Sequence, residues 1–203
     1  MPNWCYTNII ITTKNPDKTK LEDLANKISD WSHKQFCDTG EYGFRDGWLG
    51  NIVGNSGIAH PLKDDSPRCR GTLTSIYYEH EQINLSTETA WTPMMQMWQM
   101  IVDKYLPGAE ITYSAEEPGC CLFCTNDPDL IGKYYIDIWE PPEEFEDEES
   151  DWEVTEEDTI KFLQRVLKTK ETDISKLLEM TNNIEDSWFA VNEWQNCPVS
   201  ELN

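Results

Sequence analysis

Residues 72–89 read TLTSIYYEHEQINLSTET, and this stretch decides the fold. Two runs rich in β-branched and aromatic residues, 72–79 and 82–89, are joined only by His80 and Glu81. Runs of this kind with so short a connection predict two antiparallel strands. The segments on either side should then supply further strands and the helices that cover one face of the sheet.

The segment before this pair of strands predicts one strand, one helix and an irregular insertion. Residues 4–13 are β-branched and aromatic and predict a strand, while 17–31 predict a helix. The apolar residues of that helix recur at helical spacing: Leu21, Leu24, Ile28 and Trp31. Residues 32–70 lose all periodicity and contain six glycines, which indicates an irregular insertion with room for one short strand.

The segment after this pair of strands predicts a second helix, followed by further strands. TPMMQMWQMIVDKYL (92–106) predicts a helix with Thr92 as N-cap and Pro93 at its first position. Residues 109–115, 120–125 and 133–139 predict strands. The resulting order, β-α-(insertion)-β-β-α-β, is typical of an α+β, ferredoxin-like antiparallel sheet with its helices on one face.

The expected domain organisation follows from these elements. Residues 1–139 form the ferredoxin-like domain, residues 140–154 an acidic linker or surface, and residues 155–203 a C-terminal helical extension. Within the extension, 155–168 predict a helix that begins at Thr155, and 173–180 predict a second, short helix.

Composition limits the possible partners. The net charge of −22 argues against direct binding to DNA, RNA or anionic lipid and favours a basic protein partner. No run approaches the length of a membrane span, and the N-terminus lacks the features of a signal peptide. The seven irregularly spaced cysteines predict free thiols in a reducing cytoplasm.

Cysteine and histidine offer few sites for chemistry. CCLFC (120–124) contains a C-x-x-C pair, but a zinc site needs four ligands and the three histidines lack ligand spacing. Neither a metal nor a cofactor is therefore expected, and no catalytic residue is assigned. A cysteine-dependent enzyme that uses Cys5 or Cys124 remains an alternative, provided that the fold brings a base to the thiol.

Three short motifs occur in order: MPNWCYTNIIIT at the start, TAWTPM at 89–94 and YSAEEPG at 113–119. Together they resemble the YubB-like ferredoxin-like domain family of bacteriophages, conjugative plasmids and integrated elements, over roughly residues 1–138. The resemblance implies a ferredoxin-like fold and a mobile-element origin. It implies neither an iron–sulfur cluster nor a reaction. Residues 32–70 and 140–203 depart from the family pattern, so a function specific to this protein is expected in the C-terminal part.

The most unusual stretch is EPPEEFEDEESDWEVTEED (140–158), in which twelve of nineteen residues are acidic and none is basic. It is either a solvated linker or a surface that imitates the phosphates of a nucleic acid, with Phe145 and Trp152 as apolar anchors. The predicted contact residues are Glu143, Glu144, Glu146, Asp147, Glu148, Glu149, Asp151 and Trp152.

These features together predict a non-enzymatic binding protein in the cytoplasm of a bacterial host. It would capture a basic host nucleic-acid-binding protein, such as a CRISPR effector or a restriction nuclease, by DNA mimicry. The alternatives are the cysteine-dependent enzyme and a structural protein that forms homo-oligomers through its Trp-rich tail.

Overall fold

The computed structural model describes residues 3–14, 18–37, 45–184 and 187–201, which fold into two compact units. The first unit comprises Met1–Asp127 and Cys197–Asn203, and the second comprises Pro128–Asn196. From the sequence, the boundary was expected after residue 139. The strand expected over 133–139 instead lies in the second unit, because its hydrogen-bonded neighbours are strands of that unit.

The first unit is an α+β fold built on an antiparallel sheet. Its sheet has the strand order β2-β3-β1-β4-β5, and every neighbouring pair is antiparallel. Its elements are β1 (Trp4–Thr12), α1 (Lys18–Ser32), α2 (Leu49–Asn55), β2 (Gly71–Glu79), β3 (Gln82–Ala90), α3 (Met95–Tyr105), β4 (Glu110–Glu117) and β5 (Leu122–Thr125).

One hydrophobic core joins the sheet to the helices of this unit. Alternate residues of β1 are buried, as expected for a strand with one covered face. Its inward residues, such as Ile9 and Ile11, share a core cluster with Leu21 and Ile28 of α1 and with Trp98 of α3. The predicted strands at 4–13, 72–79 and 82–89 and the predicted helix at 17–31 are therefore confirmed, with ends that shift by one residue at most.

The insertion at 32–70 is not irregular throughout, and this prediction was wrong for the part that forms α2. Leu49, Ile52 and Val53 of this helix are fully buried in the core. A Cβ atom on Gly54 would overlap with the ring of Phe36, so this glycine allows a close approach to the helix. Residues 38–44 of the insertion lie outside the described residues.

The predicted start of α3 was also wrong. Met94 is its N-cap, and the helix begins at Met95 rather than at Pro93. The Thr89 hydroxyl donates a hydrogen bond to the Thr92 carbonyl (2.8 Å), which holds this segment in a turn before the helix. Trp91 in the same turn has a φ of 72°, a left-handed conformation.

The second unit has a three-stranded antiparallel sheet with the order β7-β6-β8. Ile136, Phe162, Leu163, Leu177 and Phe189 form its core. Its elements are β6 (Tyr134–Ile138), β7 (Asp151–Val154), α4 (Glu156–Val166), α5 (Ile174–Thr181), β8 (Phe189–Glu193) and the two-residue β9 (Gln195–Asn196).

The helical extension expected over 155–203 is therefore only partly helical. Both predicted helices are present, and Thr155 is the N-cap of α4, where its hydroxyl accepts a hydrogen bond from the Asp158 amide (3.2 Å). The later strand β8 was missed, because its pairing partner β6 lies about fifty residues earlier in the chain. Within the described residues, no helix combines the length and the apolar composition needed to cross a membrane.

Candidate partner-binding surface

The acidic segment, residues 140–158, is packed within the second unit. A turn of 3₁₀ helix covers Glu143–Phe145, between β6 and β7. Phe145 is buried: its ring lies 4.9 Å from that of Trp188, and the Arg165 guanidinium lies 5.7 Å from its centre. Phe145 therefore anchors the segment, and it is not available to a partner as the sequence had suggested.

The predicted contact residues lie on the outside of this anchored segment. Two of them already have cationic partners, since Glu148 pairs with Arg165 (2.7 Å) and Glu144 with Lys168 (3.4 Å). The carboxylates without an ion pair among the described residues are all exposed: Glu143, Glu146, Asp147, Glu149 and Asp151. These five carboxylates could therefore form ion pairs with the cations of a partner.

Trp152 is held in place by stacking. Its ring lies 4.7 Å from that of Tyr135 and 6.2 Å from that of Trp194, and both pairs are nearly parallel. The indole N–H of Trp194 also donates a hydrogen bond to the Trp152 carbonyl (2.8 Å). Trp152 nevertheless stays 40% exposed, so it presents a preoriented apolar surface among the carboxylates.

A groove of about 460 Å³ lies next to the acidic segment, within the second unit. Its lining includes the apolar side chains of Ile138 and Phe162. Four carboxylates and two cations line it: Glu148, Glu149, Asp151 and Asp158, with Lys161 and Arg165. The groove can accommodate the alkyl chain and the charged end of a basic side chain.

The second unit carries most of the negative charge of the protein. It contains 20 of the 38 acidic residues but only 6 of the 16 basic residues, and so 14 of the 22 net negative charges. The cations that pair with the acidic segment were not singled out from the sequence. Their signal is the spacing of Lys161 and Arg165, which places them one turn apart on the same side of α4, while Lys168 follows the end of that helix.

The candidate nucleophiles are buried in the first unit. Cys5 is fully buried and Cys124 is 3% exposed. Desolvation raises the pKa of the Cys5 thiol to about 11 and that of Cys124 to about 12, with a further contribution to Cys124 from nearby Cys197. Thiolate formation is therefore disfavoured at both positions. In the ranges that the structure describes, no group of three or more His, Cys, Asp or Glu residues could hold a metal ion.

The three sequence motifs meet at one end of the first unit's sheet. The Asn3 carbonyl accepts a hydrogen bond from the Trp91 amide (3.0 Å), which joins the first motif to the second. The Asn3 side chain lies 3.8 Å from the Cys120 sulfur and next to Gly119, at the end of the third motif. Glu117 is buried there, and its carboxylate accepts a hydrogen bond from the Gly119 amide (3.0 Å).

Comparisons with protein-family models, with curated proteins and with solved structures found no match to this chain. The resemblance to the YubB-like family therefore stays a hypothesis that rests on the three motifs. The functional interpretation of the surface depends on its geometry and charge.

Proposed function

We propose that the protein is a non-enzymatic, acidic binding protein that inhibits a DNA-targeting defence protein of a bacterial host by DNA mimicry. The partner would be a basic nucleic-acid-binding protein, such as a CRISPR effector or a restriction nuclease. The observation that carries the proposal is the anchoring of the acidic segment by Phe145, which keeps its carboxylates on a folded surface.

A folded acidic surface can compete with DNA for a cationic cleft. B-DNA carries one negative charge per roughly 1.7 Å of its axis, and nucleases bind it through lysine and arginine. Glu143, Glu146, Asp147 and Glu149 are exposed carboxylates without an ion pair among the described residues, so a partner need not displace an internal cation. Charge mainly raises the association rate, while Trp152 offers apolar contact that slows dissociation.

The first unit would act as the scaffold of this binding protein. Its helix positions and its strand order β2-β3-β1-β4 support a ferredoxin-like topology, extended by β5. The three motifs at one end of the sheet support an origin in a bacteriophage or another mobile element. A cytoplasmic location in the host cell follows from the nature of the proposed target.

The two alternatives have less support. Trp188, Phe189 and Trp194 of the tail pack within the second unit, which leaves little of the expected apolar surface for self-association. Cys5 and Cys124 are buried thiols with raised pKa values, which opposes their use as nucleophiles.

The proposal is tested with purified protein and a panel of purified CRISPR effectors and restriction nucleases. DNA cleavage is measured with increasing amounts of the protein, and binding is measured across a salt series. We expect at least one nuclease to be inhibited, excess DNA to relieve the inhibition, and added salt to weaken the binding.

A charge-neutralised variant assigns the contact. It combines Glu143→Gln, Glu146→Gln, Asp147→Asn and Glu149→Gln. Four exposed ion pairs at about 0.5 kcal/mol each come to about 2 kcal/mol, which corresponds to a roughly thirtyfold weaker Kd.

The matched control loses the same charge from exposed positions on the helices of the first unit, through Glu22→Gln, Asp23→Asn, Asp30→Asn and Asp103→Asn. It should bind nearly as well as the unmodified protein. An equal loss of affinity in both variants would show that net charge alone causes the effect. Full binding by both variants would show that the acidic segment is not part of the interface. Failure to inhibit any nuclease of the panel would contradict DNA mimicry.

A further inference from the structure

A second cavity, of about 480 Å³, lies within the first unit, away from the acidic segment in sequence. The end of the insertion at 32–70 and the turn before α3 form its walls. Its lining combines cationic, aromatic and apolar side chains, among them Lys63, Arg68, Arg70, Trp48, Trp91 and Met94. We propose that this cavity binds a nucleotide, with the phosphate held by the cations and the base stacked on an indole.

The cations are the first reason for this proposal. Lys63, Arg68 and Arg70 are exposed, and none forms an ion pair with a described residue. Lys14 and Lys18 of the first unit, by contrast, are paired, with Glu110 (3.0 Å) and with Glu81 (2.6 Å). Among the described residues, no carboxylate lines the cavity. The three cations therefore form a local anion site in a protein whose net charge is −22. The planar guanidinium groups of the two arginines suit the geometry of a phosphate.

The aromatic lining is the second reason. Trp91 is 46% exposed and has a φ of 72°, a conformation that bulky L-residues rarely adopt. Its amide donates a hydrogen bond to the Asn3 carbonyl (3.0 Å), which fixes the backbone there. The indole therefore stays at the cavity surface instead of joining the core. Exposed indoles are the side chains on which proteins stack unpaired bases.

The size of the cavity is the third reason. Its volume of about 480 Å³ lies within the range of small-molecule sites.

The test is isothermal titration calorimetry on the full chain with AMP, GMP, CMP and UMP, and with adenosine and inorganic phosphate. We expect at least one mononucleotide to bind. Adenosine and phosphate should each bind at least about tenfold more weakly than that nucleotide, because each supplies only part of the contacts.

Two variants locate the site. Arg68→Ala with Arg70→Ala should weaken the binding of the nucleotide by about tenfold or more. Trp91→Gly removes the stacking surface with a residue that tolerates a positive φ, and it should weaken nucleotide binding without affecting the response to phosphate. The matched control, Lys27→Ala with Lys170→Ala, loses the same charge from exposed positions outside the cavity and should bind normally.

Several results would overturn the proposal. One is the absence of any heat of binding with the four mononucleotides at millimolar concentration. Another is an equal loss of nucleotide affinity in the arginine variant and in its control. A third is that phosphate binds as tightly as the nucleotide. Light scattering can supply a fourth result. If the unmodified protein is a dimer, the arginine variant is a monomer and no nucleotide binds, the cavity accepts acidic residues of a second copy of the chain. The variant lacking the four acidic-segment charges should still bind nucleotide, so this test is independent of the proposed DNA mimicry.

Discussion

Replacing Phe145 with alanine tests whether the acidic segment belongs to the folded second unit. The side chain is 8% exposed and packs on Trp188 and Arg165. Buried Phe→Ala substitutions cost about 3–5 kcal/mol, and a site at the edge of a small core belongs at the lower end, about 3 kcal/mol. For a domain of 60–100 residues, a loss of that size lowers Tm by about 12–24 °C. The loss should be confined to the transition of the second unit.

Hydrogen exchange measured by mass spectrometry, combined with a thermal melt, distinguishes the two units. In the unmodified protein, the Phe145 and Glu148 amides donate backbone hydrogen bonds of 2.7 and 2.9 Å and should be protected from exchange. Phe145→Ala should remove that protection and lower the melting transition of the second unit. The control is Trp139→Ala, which truncates an aromatic residue of the same unit that is 44% exposed and should change the unfolding free energy by less than about 0.5 kcal/mol.

One result would refute this reasoning. If amides over residues 140–158 exchange at the rate of an unfolded chain in the unmodified protein, and Phe145→Ala leaves the melt unchanged, the segment is a solvated linker. The proposed function would then lose the observation that carries it.

Three further predictions concern stability and thiol reactivity. A methyl group on Gly71 would collide with the backbone carbonyl of Glu88, so Gly71→Ala should lower the free energy of unfolding by about 1–3 kcal/mol in urea titrations. Hydrogen bonds, first from Thr155 and then from a lysine, lower the pKa of Asp158. Its stabilisation is therefore complete above the unfolded pKa of about 3.9 and is lost as the pH falls through the folded pKa. Asp158→Asn should flatten the stability–pH curve there, and an unchanged curve would contradict this. The exposed Cys121 thiol should be alkylated by iodoacetamide in the folded protein, detected by mass spectrometry, while the buried Cys5, Cys69 and Cys124 thiols react only after unfolding.

Local patterns predicted those elements whose signals are complete within a short stretch. Burial alternates along β3, and the short connection at His80 and Glu81 pairs this strand directly with β2. Helix α4 begins where Thr155 offers a side-chain cap, which is likewise a local interaction. These elements needed no knowledge of distant residues.

The missed elements depend on distant or unusual contacts. Helix α2 has only seven residues and contains glycines, which normally indicate a loop. It forms because Ile52 and Val53 enter the core, and Gly54 allows Phe36 to approach. The start of α3 shifted because Thr89, in the preceding strand, bonds to the Thr92 carbonyl.

The candidate surface was predictable in composition but not in architecture. The charge of residues 140–158 is evident from the sequence, whereas its order depends on the packing of Phe145 on Trp188, 43 positions later in the chain. The cations at positions 63, 68 and 70 had no local pattern to distinguish them from a charged loop. Only the fold brings them to a cavity that Trp48 and Trp91 also line.

The return of the chain to the first unit affects the order of events during synthesis. The Cys197 amide donates a hydrogen bond to the Thr125 carbonyl (2.8 Å), and its carbonyl accepts one from the Tyr113 hydroxyl (2.6 Å). The second unit is thus an insertion between Asp127 and Cys197, two positions that belong to the same unit. A ribosome makes all of the inserted unit before it makes the last segment of the first. The inserted unit can therefore fold while the first unit still lacks this last segment, so the first unit is started first but completed last.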